Sequence, residues 1–283
     1  MFEVILGLIA ALAWGLHDFF VRFIVKKVNI FTALIITNVV GIVALSVVLV
    51  FSNKILAIEQ PFLLVSAIYG LLFLAATYSL YKAFDQGPVF IAAPIIGSYP
   101  LLSLLYASMM GTSPAAYQWL LSGLVIVGLT LTVSSQITKN TSFKSDILPT
   151  VSWSLLAALL FSISFQLGQN QIINGQEVSS NLFARLAAAT ILFTFAFKKM
   201  RPLGLSFNQI LILVFMGLAD TIALTIMVYA GNYSRPEFSS VSASTFGLIT
   251  ILLVCIIYKE RLSKTQSAGI MLVFSSIAIL SLA

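Results

Sequence analysis

The sequence predicts an all-α membrane protein of ten transmembrane helices, arranged as two inverted repeats of five helices each. Two observations lead to this fold class. Of the 283 residues, 60% are hydrophobic and 8% are charged, with a mean hydropathy of +1.06, whereas soluble domains are about 45–50% apolar and about 25% charged. The apolar residues also fall into runs of about 20, the length that a helix needs to cross a bilayer. A soluble globule of this size could not bury so much apolar surface, which excludes an ordinary soluble enzyme.

We predict ten spanning helices, one in each apolar run. The runs cover residues 3–24, 31–51, 61–83, 88–110, 115–136, 148–170, 179–197, 207–229, 236–258 and 264–283. They lack the two-residue alternation of barrel strands, so helices are expected. The first run carries Glu3 at its start, where a signal peptide would have a basic segment. We therefore interpret this run as a retained span and not as a signal peptide.

Basic residues indicate the orientation of these spans. Of the fifteen Lys and Arg residues, all but Lys54, Arg185 and Arg235 fall in or beside the odd-numbered loops. We expect the chain to lie in the cytoplasmic (inner) membrane. The positive-inside rule then places the odd-numbered loops on the cytoplasmic side and both termini on the outer side. The same rule explains the net charge of +6 without a nucleic acid partner. With one cysteine and one histidine, the chain has no Cys/His metal set, and we expect no metal and no cofactor.

The chain reads as a duplication, with repeats at residues 1–137 and 147–283 forming one structural domain. The segment LIAALAWG at 8–15 is similar to LLAALLFS at 155–162, and Tyr, Pro and Gln recur at an offset of 148 in the pairs Tyr81/Tyr229, Pro88/Pro236 and Gln118/Gln266. Because each repeat has an odd number of spans, the second enters the membrane from the opposite face. Inverted repeats are typical of secondary transporters, which bind substrate near the midplane.

Small residues recur every fourth position in the first span, at Gly7, Ala11 and Gly15. Such a stripe lets membrane helices approach closely. We therefore expect this face of the first span to be a packing seam.

Several segments of the chain resemble the EamA-type family of drug/metabolite transporters. The matching features are Trp14-Gly15 in the first span, Arg185 early in the seventh, an Ala-Pro-rich start of the fourth span, and the turn from Lys259 through Glu260 and Gln266 to Gly269. The resemblance covers the whole chain and implies a ten-helix carrier with a central cavity, usually an exporter of small metabolites such as amino acids.

Ionisable residues inside a span are rare and are functional candidates by default. Asp220 lies near the middle of the eighth span and must be protonated, paired with another helix or hydrated; we predict that it binds substrate and couples transport to protons. Asp18 either pairs with Arg22 one turn away or, beside Trp14, binds a cationic group. His17 could relay protons, since histidine titrates near neutral pH. Arg185 either snorkels to the outer surface or pairs with an acid or a substrate carboxylate.

The other predicted substrate-binding residues are polar or aromatic: Trp14, Tyr78, Tyr99, Gln166 and Asn170. Tyr99 precedes Pro100 in the middle of the fourth span, where a proline allows bending, so this span is the predicted moving element. In contrast, we interpret Tyr81 and Tyr229 as interfacial residues.

Together these features predict a secondary active transporter that moves an amino acid, an amine or a similar amphipathic metabolite by alternating access. We expect export, with protons as a candidate coupling ion, and a monomer or weak homodimer. Motifs for ATP hydrolysis or catalysis are absent from the sequence, so we do not expect an enzyme. The alternative is a flippase for lipids or lipid headgroups on the same scaffold.

Overall fold

The computed structural model describes residues 2–52, 60–109, 115–137, 144–171, 175–196, 204–234, 236–259 and 262–282. Over these residues it contains twelve α-helices. They are α1 (Phe2–Ile24), α2 (Ile30–Phe51), α3 (Gln60–Gln86), α4 (Val89–Gly97), α5 (Tyr99–Met109), α6 (Ala116–Ile137), α7 (Lys144–Gln171), α8 (Glu177–Ala196), α9 (Phe207–Tyr229), α10 (Pro236–Ala243), α11 (Phe246–Tyr258) and α12 (Lys264–Leu282). Lys54, Arg235 and Glu260 lie outside the described residues.

The twelve helices correspond to the ten predicted spans, because two spans are each divided into two helices. Six stretches of the described chain are long and apolar enough to cross a membrane, and the chain is an all-α membrane protein. The fourth span is broken at Ser98, next to the predicted bend at Pro100. The predicted span over residues 236–258 is confirmed as a membrane-length apolar stretch, Phe238–Tyr258. It is interrupted, since α10 ends at Ala243 and α11 begins at Phe246.

Helix packing follows a two-fold pattern. When α1 is matched with α7, α2 with α8, α3 with α9, α4 and α5 with α10 and α11, and α6 with α12, each major contact has a counterpart. Thus α3 packs on α7 as α9 packs on α1, and α3 packs on α8 as α9 packs on α2. α1 packs on α10 and α11 as α7 packs on α4 and α5, and two further interfaces, α2 with α8 and α6 with α12, join a helix to its own counterpart. This is the packing expected of a duplicated chain; the boundaries 1–137 and 147–283 stay a prediction.

Two glutamines at an offset of 148 have the same local role. Gln118 Oε1 accepts a hydrogen bond from the Ala115 amide at the start of α6, and Gln266 Oε1 accepts one from the Ser263 amide at the start of α12, both at 2.8 Å. Each side chain thereby satisfies an amide that has no partner within its helix. The repeated glutamine is therefore a helix cap, which explains its recurrence without a role in transport.

The small-residue seam of α1 is confirmed. A Cβ atom on Gly7 would lie 2.7 Å from Ser242 Cβ of α10, and one on Gly15 would lie 2.7 Å from Ile249 Cβ of α11. Ala11 between them is fully buried. The seam therefore packs α1 tightly against the broken ninth span.

The two broken spans cross near their breaks. A Cβ atom on Gly97 would lie 3.0 Å from the Ser244 carbonyl oxygen, and one on Gly247 would lie 2.8 Å from the Ala93 carbonyl oxygen. The absence of side chains at these two positions lets α4 and α11 pack backbone against backbone. The interruptions thus lie at equivalent places in the two halves, next to the centre of the bundle.

Candidate functional site

Asp220 is the centre of a buried polar cluster. It lies in the middle of α9, and its two carboxylate oxygens accept hydrogen bonds from two other helices: Oδ1 from Trp14 Nε1 of α1 at 3.1 Å, and Oδ2 from Arg185 Nη2 of α8 at 2.8 Å. The side chains of Arg185 and Asp220 are only 6% and 8% exposed. Of the alternatives that the sequence left open, Asp220 is therefore paired with another helix, and Arg185 pairs with an acid rather than snorkelling to the surface.

Helix α2 completes the surroundings of Arg185. Asn38 Nδ2 donates a hydrogen bond of 2.9 Å to the Arg185 carbonyl oxygen. Gly41, one turn along α2, leaves space that the guanidinium occupies. Arg185 Nε has no hydrogen-bond partner among the described residues, so the guanidinium retains a donor beyond those it gives to Asp220.

A second polar group joins α1 to α3. His17 Nδ1 lies 2.8 Å from Asp18 Oδ1, and His17 Nε2 lies 3.1 Å from the hydroxyl of Tyr81. An ionised carboxylate only accepts hydrogen bonds, so with Asp18 ionised the Nδ1–H of His17 is the donor. The other oxygen, Asp18 Oδ2, is buried and has no partner in the described part of the chain.

This arrangement bears on an alternative left open for Asp18 and corrects the interpretation of Tyr81. Asp18 pairs with His17 and not with Arg22, whose guanidinium lies 5.2 Å from the centre of the Tyr258 ring. Tyr81 is fully buried and not interfacial, because its hydroxyl is held by His17 inside the bundle. Tyr229, by contrast, is partly exposed, and its hydroxyl lies 3.0 Å from that of Tyr233.

Two small cavities lie on either side of Asp220 and differ in their polar lining. The first has a volume of about 30 Å³ and is lined by Arg185, Asn38 and Thr37. The second, of about 20 Å³, is lined by Asp18, His17 and Trp14. Phe73, Thr77 and Asp220 border both. Each cavity can hold a group of about the size of a water molecule. The first offers the Arg185 guanidinium to such a group. The second, which we call the acidic cavity, offers the carboxylates of Asp18 and Asp220.

Aromatic rings enclose the acidic cavity. Its wall includes Trp14, Phe73, Phe161, Phe165 and Phe246. Trp14 stacks on Phe165 with ring centres 5.2 Å apart, and Phe161 stacks on the same phenylalanine at 5.5 Å. Aromatic faces carry negative potential and attract cations. Rings and carboxylates together make this cavity suited to an ammonium group.

Gln169 lies near the C-terminal end of α7. Its amide nitrogen donates to the Met227 carbonyl oxygen at 3.2 Å and to Ser239 Oγ at 3.1 Å, and its amide oxygen accepts from Ser240 Oγ at 3.0 Å. The Tyr99 hydroxyl donates to the Ser240 carbonyl oxygen. These bonds tie α7 to α9 and α10 and link the start of α5 to α10. The sequence analysis assigned Gln169 no role of its own. The feature that could have indicated one is its position three residues after Gln166, on nearly the same helix face of an amide-rich segment.

Four of the predicted substrate-binding residues do not border the two cavities at Asp220. Asn170 is exposed and Gln166 is half-buried, and neither borders the two cavities. The amide that enters the bundle is instead Gln169, because α7 buries that face against α9 and α10. Tyr78 packs against Phe31 and Trp153, with ring centres 5.5 and 5.8 Å away, on the flank of the bundle. Tyr99 reaches the centre only indirectly, through its ring contact with Phe165 at 5.1 Å.

The chain is similar to known transporters over its whole length. The model of the EamA-like transporter family matches residues 1–134 and again residues 148–282. A protein of Archaeoglobus fulgidus described as an uncharacterized transporter is 26% identical over 289 residues, covering 100% of this chain and 99% of the relative.

Two further similarities bear on the fold. An uncharacterized protein of Methanocaldococcus jannaschii is 28% identical over 132 residues, which cover 45% of this chain and 93% of that protein. This relative thus has about the length of one repeat. A solved crystal structure superposes with a TM-score of 0.74 at 15% identity, covering 99% of this chain and 96% of that chain.

Proposed function

We propose that this chain, which belongs to the EamA-like transporter family, is a secondary active carrier for a small metabolite of the amino acid or amine class. The family makes it a multi-pass membrane transporter, whose ligand is a small molecule and whose surroundings are a lipid bilayer. The observation that supports the substrate class is the Arg185–Asp220 pair, with a cavity beside each charge.

The two charged ends of a zwitterion match the polar linings of the two cavities, which would widen to admit it because each now holds only a group of about the size of a water molecule. Its carboxylate would bind the Arg185 guanidinium, which favours planar oxyanions. Its ammonium group would lie between Asp18 and Asp220, against the face of Trp14. In the absence of substrate, Asp220 neutralises Arg185, and a buried charge left unpaired would be strongly destabilising. The substrate would then replace one internal ion pair by two ion pairs of its own.

Alternating access is supported by the bonds that close both ends of the bundle in this conformation. Gln169 joins α7 to α9 and α10 at one end. At the other end, Lys26 forms an ion pair of 3.4 Å with Asp85, between the α1–α2 turn and the end of α3. Each contact joins helices of the same repeat, the second repeat for Gln169 and the first for Lys26–Asp85. We therefore propose that these contacts break alternately as helices within each repeat move around the Asp220 site, and that substrate moves outward.

Protons are the proposed coupling ion, and Asp220, Asp18 and His17 are the proposed carriers. All three are buried within hydrogen-bonding distance of another polar group. When substrate leaves, Asp220 pairs again with Arg185, whereas Asp18 loses the ammonium group and would be stabilised by taking up a proton, because an unpaired buried charge is costly. Proton and substrate would thus alternate on Asp18, with His17 as its hydrogen-bonded relay and Asp220 as its link to the substrate.

Ligand-induced thermal stabilisation of the purified full-length chain tests the substrate class. The panel comprises amino acids, primary amines, quaternary amines, nucleosides and lipid headgroups. A ligand at a hundredfold its Kd stabilises the folded state by about 2.7 kcal/mol. We expect amino acids to stabilise the chain and Asp220→Asn to abolish the shift. Glu177→Gln is the matched control, since Glu177 is a buried acid on α8 that borders neither cavity. Stabilisation by lipid headgroups alone would contradict this substrate class.

Cysteine labelling in intact cells tests the orientation of the chain. We propose the cytoplasmic membrane as the location, with both termini outside and a monomer or weak homodimer as the working unit. In a Cys255→Ser background, Lys199→Cys is expected to react with an impermeant maleimide only from the cytoplasmic side. Reaction from outside in intact cells would reverse the orientation.

A lipid flippase would need basic residues along a lateral groove, to bind a phosphate. The groove between α2, α3, α7 and α8 has no Lys or Arg among the residues that line it in the described chain. We therefore favour the carrier over the flippase.

A further inference from the structure

A large apolar groove opens on the flank of the bundle, between α2, α3, α7 and α8. Its volume is about 500 Å³, and it is lined by aliphatic and aromatic side chains. Leu71, Leu156 and Ile191 on its walls are 36–41% exposed. Because these helices span the membrane, the surface that is exposed here meets the hydrocarbon of the bilayer. The groove is thus a lipid-facing recess, at about 500 Å³ far larger than the cavities of about 30 and 20 Å³ at Asp220.

Only two side chains divide this groove from the cavity beside Arg185. Leu34 of α2 and Leu74 of α3 border both spaces. Both residues are leucines, which change rotamer without breaking a hydrogen bond. On the far side of this pair lie Arg185 and Asp220, so a charged group and an apolar chain could be bound next to each other.

We propose that the groove binds the single alkyl chain of an amphipathic substrate, whose charged head binds at Arg185 and Asp220. This proposal rests on the proposed function and narrows its substrate class to amino acids or amines with a long unbranched apolar side chain. The substrate reaches the central site from the bilayer, between α2 and α3, when Leu34 and Leu74 rotate away.

Charge and lining favour this occupant over a structural phospholipid. Arg185 and Asp220 lie behind Leu34 and Leu74 and suit a small charged head. Lys82 lies near the rim of the groove, with Nζ 6.0 Å from the centre of the Tyr78 ring, and is not among the lining residues. The lining itself offers only the Tyr78 hydroxyl, the Ser79 hydroxyl and the Trp153 indole as polar groups, which is a poor site for a phosphate.

A homologous series with one head and increasing chain length tests the proposal. We would titrate alanine, 2-aminohexanoic acid and 2-aminodecanoic acid into the full-length chain in lipid nanodiscs and measure Kd by calorimetry. Burying a methylene strengthens binding about fourfold, so affinity should rise by that factor per carbon until the groove is filled.

Ala75→Trp blocks the groove without changing the site. Ala75 is exposed and lines the groove but neither cavity at Asp220. We expect this variant to bind alanine normally and to lose the increase in affinity with the length of the ligand's alkyl chain. Leu156→Trp fills the opposite wall and serves if Ala75→Trp does not fold. Ile222→Trp, on the lipid-facing side of α9, is the control and should retain the increase in affinity with chain length. A difference between this control and the groove variants also separates groove binding from simple partition of the ligand into lipid.

The outcomes distinguish this inference from the proposed function. Normal alanine binding with no gain along the series would overturn the groove and leave the carrier proposal standing. A gain that persists in both tryptophan variants would also overturn the groove. If no member of the series binds the wild-type chain, both proposals are wrong.

Discussion

Gly41 on α2 lies so close to the Arg185 guanidinium that a Cβ atom at residue 41 would lie 2.7 Å from Arg185 Cζ. The same atom would lie 2.6 Å from Thr221 Oγ1 on α9. Both distances are well inside van der Waals contact. Gly41 is thus the position at which α2, α8 and α9 meet around the ion pair, and the arginine depends on the missing side chain for its place.

Gly41→Ala is predicted to displace the Arg185 guanidinium and weaken its bond to Asp220. The expected result is loss of ligand-induced stabilisation in the thermal assay with a correctly inserted protein. Gly123→Ala is the matched control, because a Cβ there meets nothing within 4 Å. Alanine is the better helix former by about 0.5–1 kcal/mol, so this control should be slightly more stable and bind ligand normally. Normal ligand binding by Gly41→Ala would show that Arg185 tolerates displacement.

The Arg185–Asp220 pair is predicted to show strong coupling in a double-mutant cycle. Breaking a buried pair by removing one partner is destabilising by about 3–5 kcal/mol, whereas removing both charges is far milder. We expect Asp220→Asn and Arg185→Gln each to lower the free energy of unfolding in detergent, and the double variant to recover most of the loss. Additive losses would mean that the two side chains do not depend on each other for their burial.

Residue patterns that depend on a single helix predicted the structure well. The ten apolar runs correspond to the observed spans, and the stripe of Gly7, Ala11 and Gly15 packs as expected. Both features follow from length and periodicity alone. The need of Asp220 for a partner was also predictable, because a charge at mid-membrane must be compensated.

Features that depend on neighbouring helices were not predictable. The sequence does not reveal that α10 ends near Ser244, since serine and threonine occur freely within membrane helices. Tyrosine is a residue type typical of membrane interfaces, but Tyr81 is buried, because its hydroxyl is hydrogen-bonded to His17 on α1. Gln169, and not Gln166, is the amide that enters the bundle, because its side chain lies on the face of α7 that contacts α9 and α10.

Gln169→Leu is predicted to loosen the end of the bundle where α7, α9 and α10 meet. The variant removes the bonds to the Met227 carbonyl oxygen and to the hydroxyls of Ser239 and Ser240. In a Cys255→Ser background, Ala230→Cys at the same end of the bundle is buried and should react slowly with a maleimide. Adding Gln169→Leu should raise the rate of labelling several-fold. The neighbouring change Asn170→Leu is the control, because Asn170 is exposed; equal rates in both variants would contradict a closing role for Gln169.

Trp14→Phe is predicted to lower stability and ligand affinity together. Phenylalanine keeps an aromatic ring against Phe165 but removes the indole N–H that donates to Asp220 Oδ1 at 3.1 Å. A hydrogen bond to a charged group contributes about 1.5–3 kcal/mol, so unfolding in detergent should become easier by about that amount. Trp119→Phe is the control, because Trp119 is exposed on α6 and should change stability little. If Trp14→Phe were as stable as this control, the indole would not contribute to holding Asp220, and the carboxylate would depend on Arg185 alone.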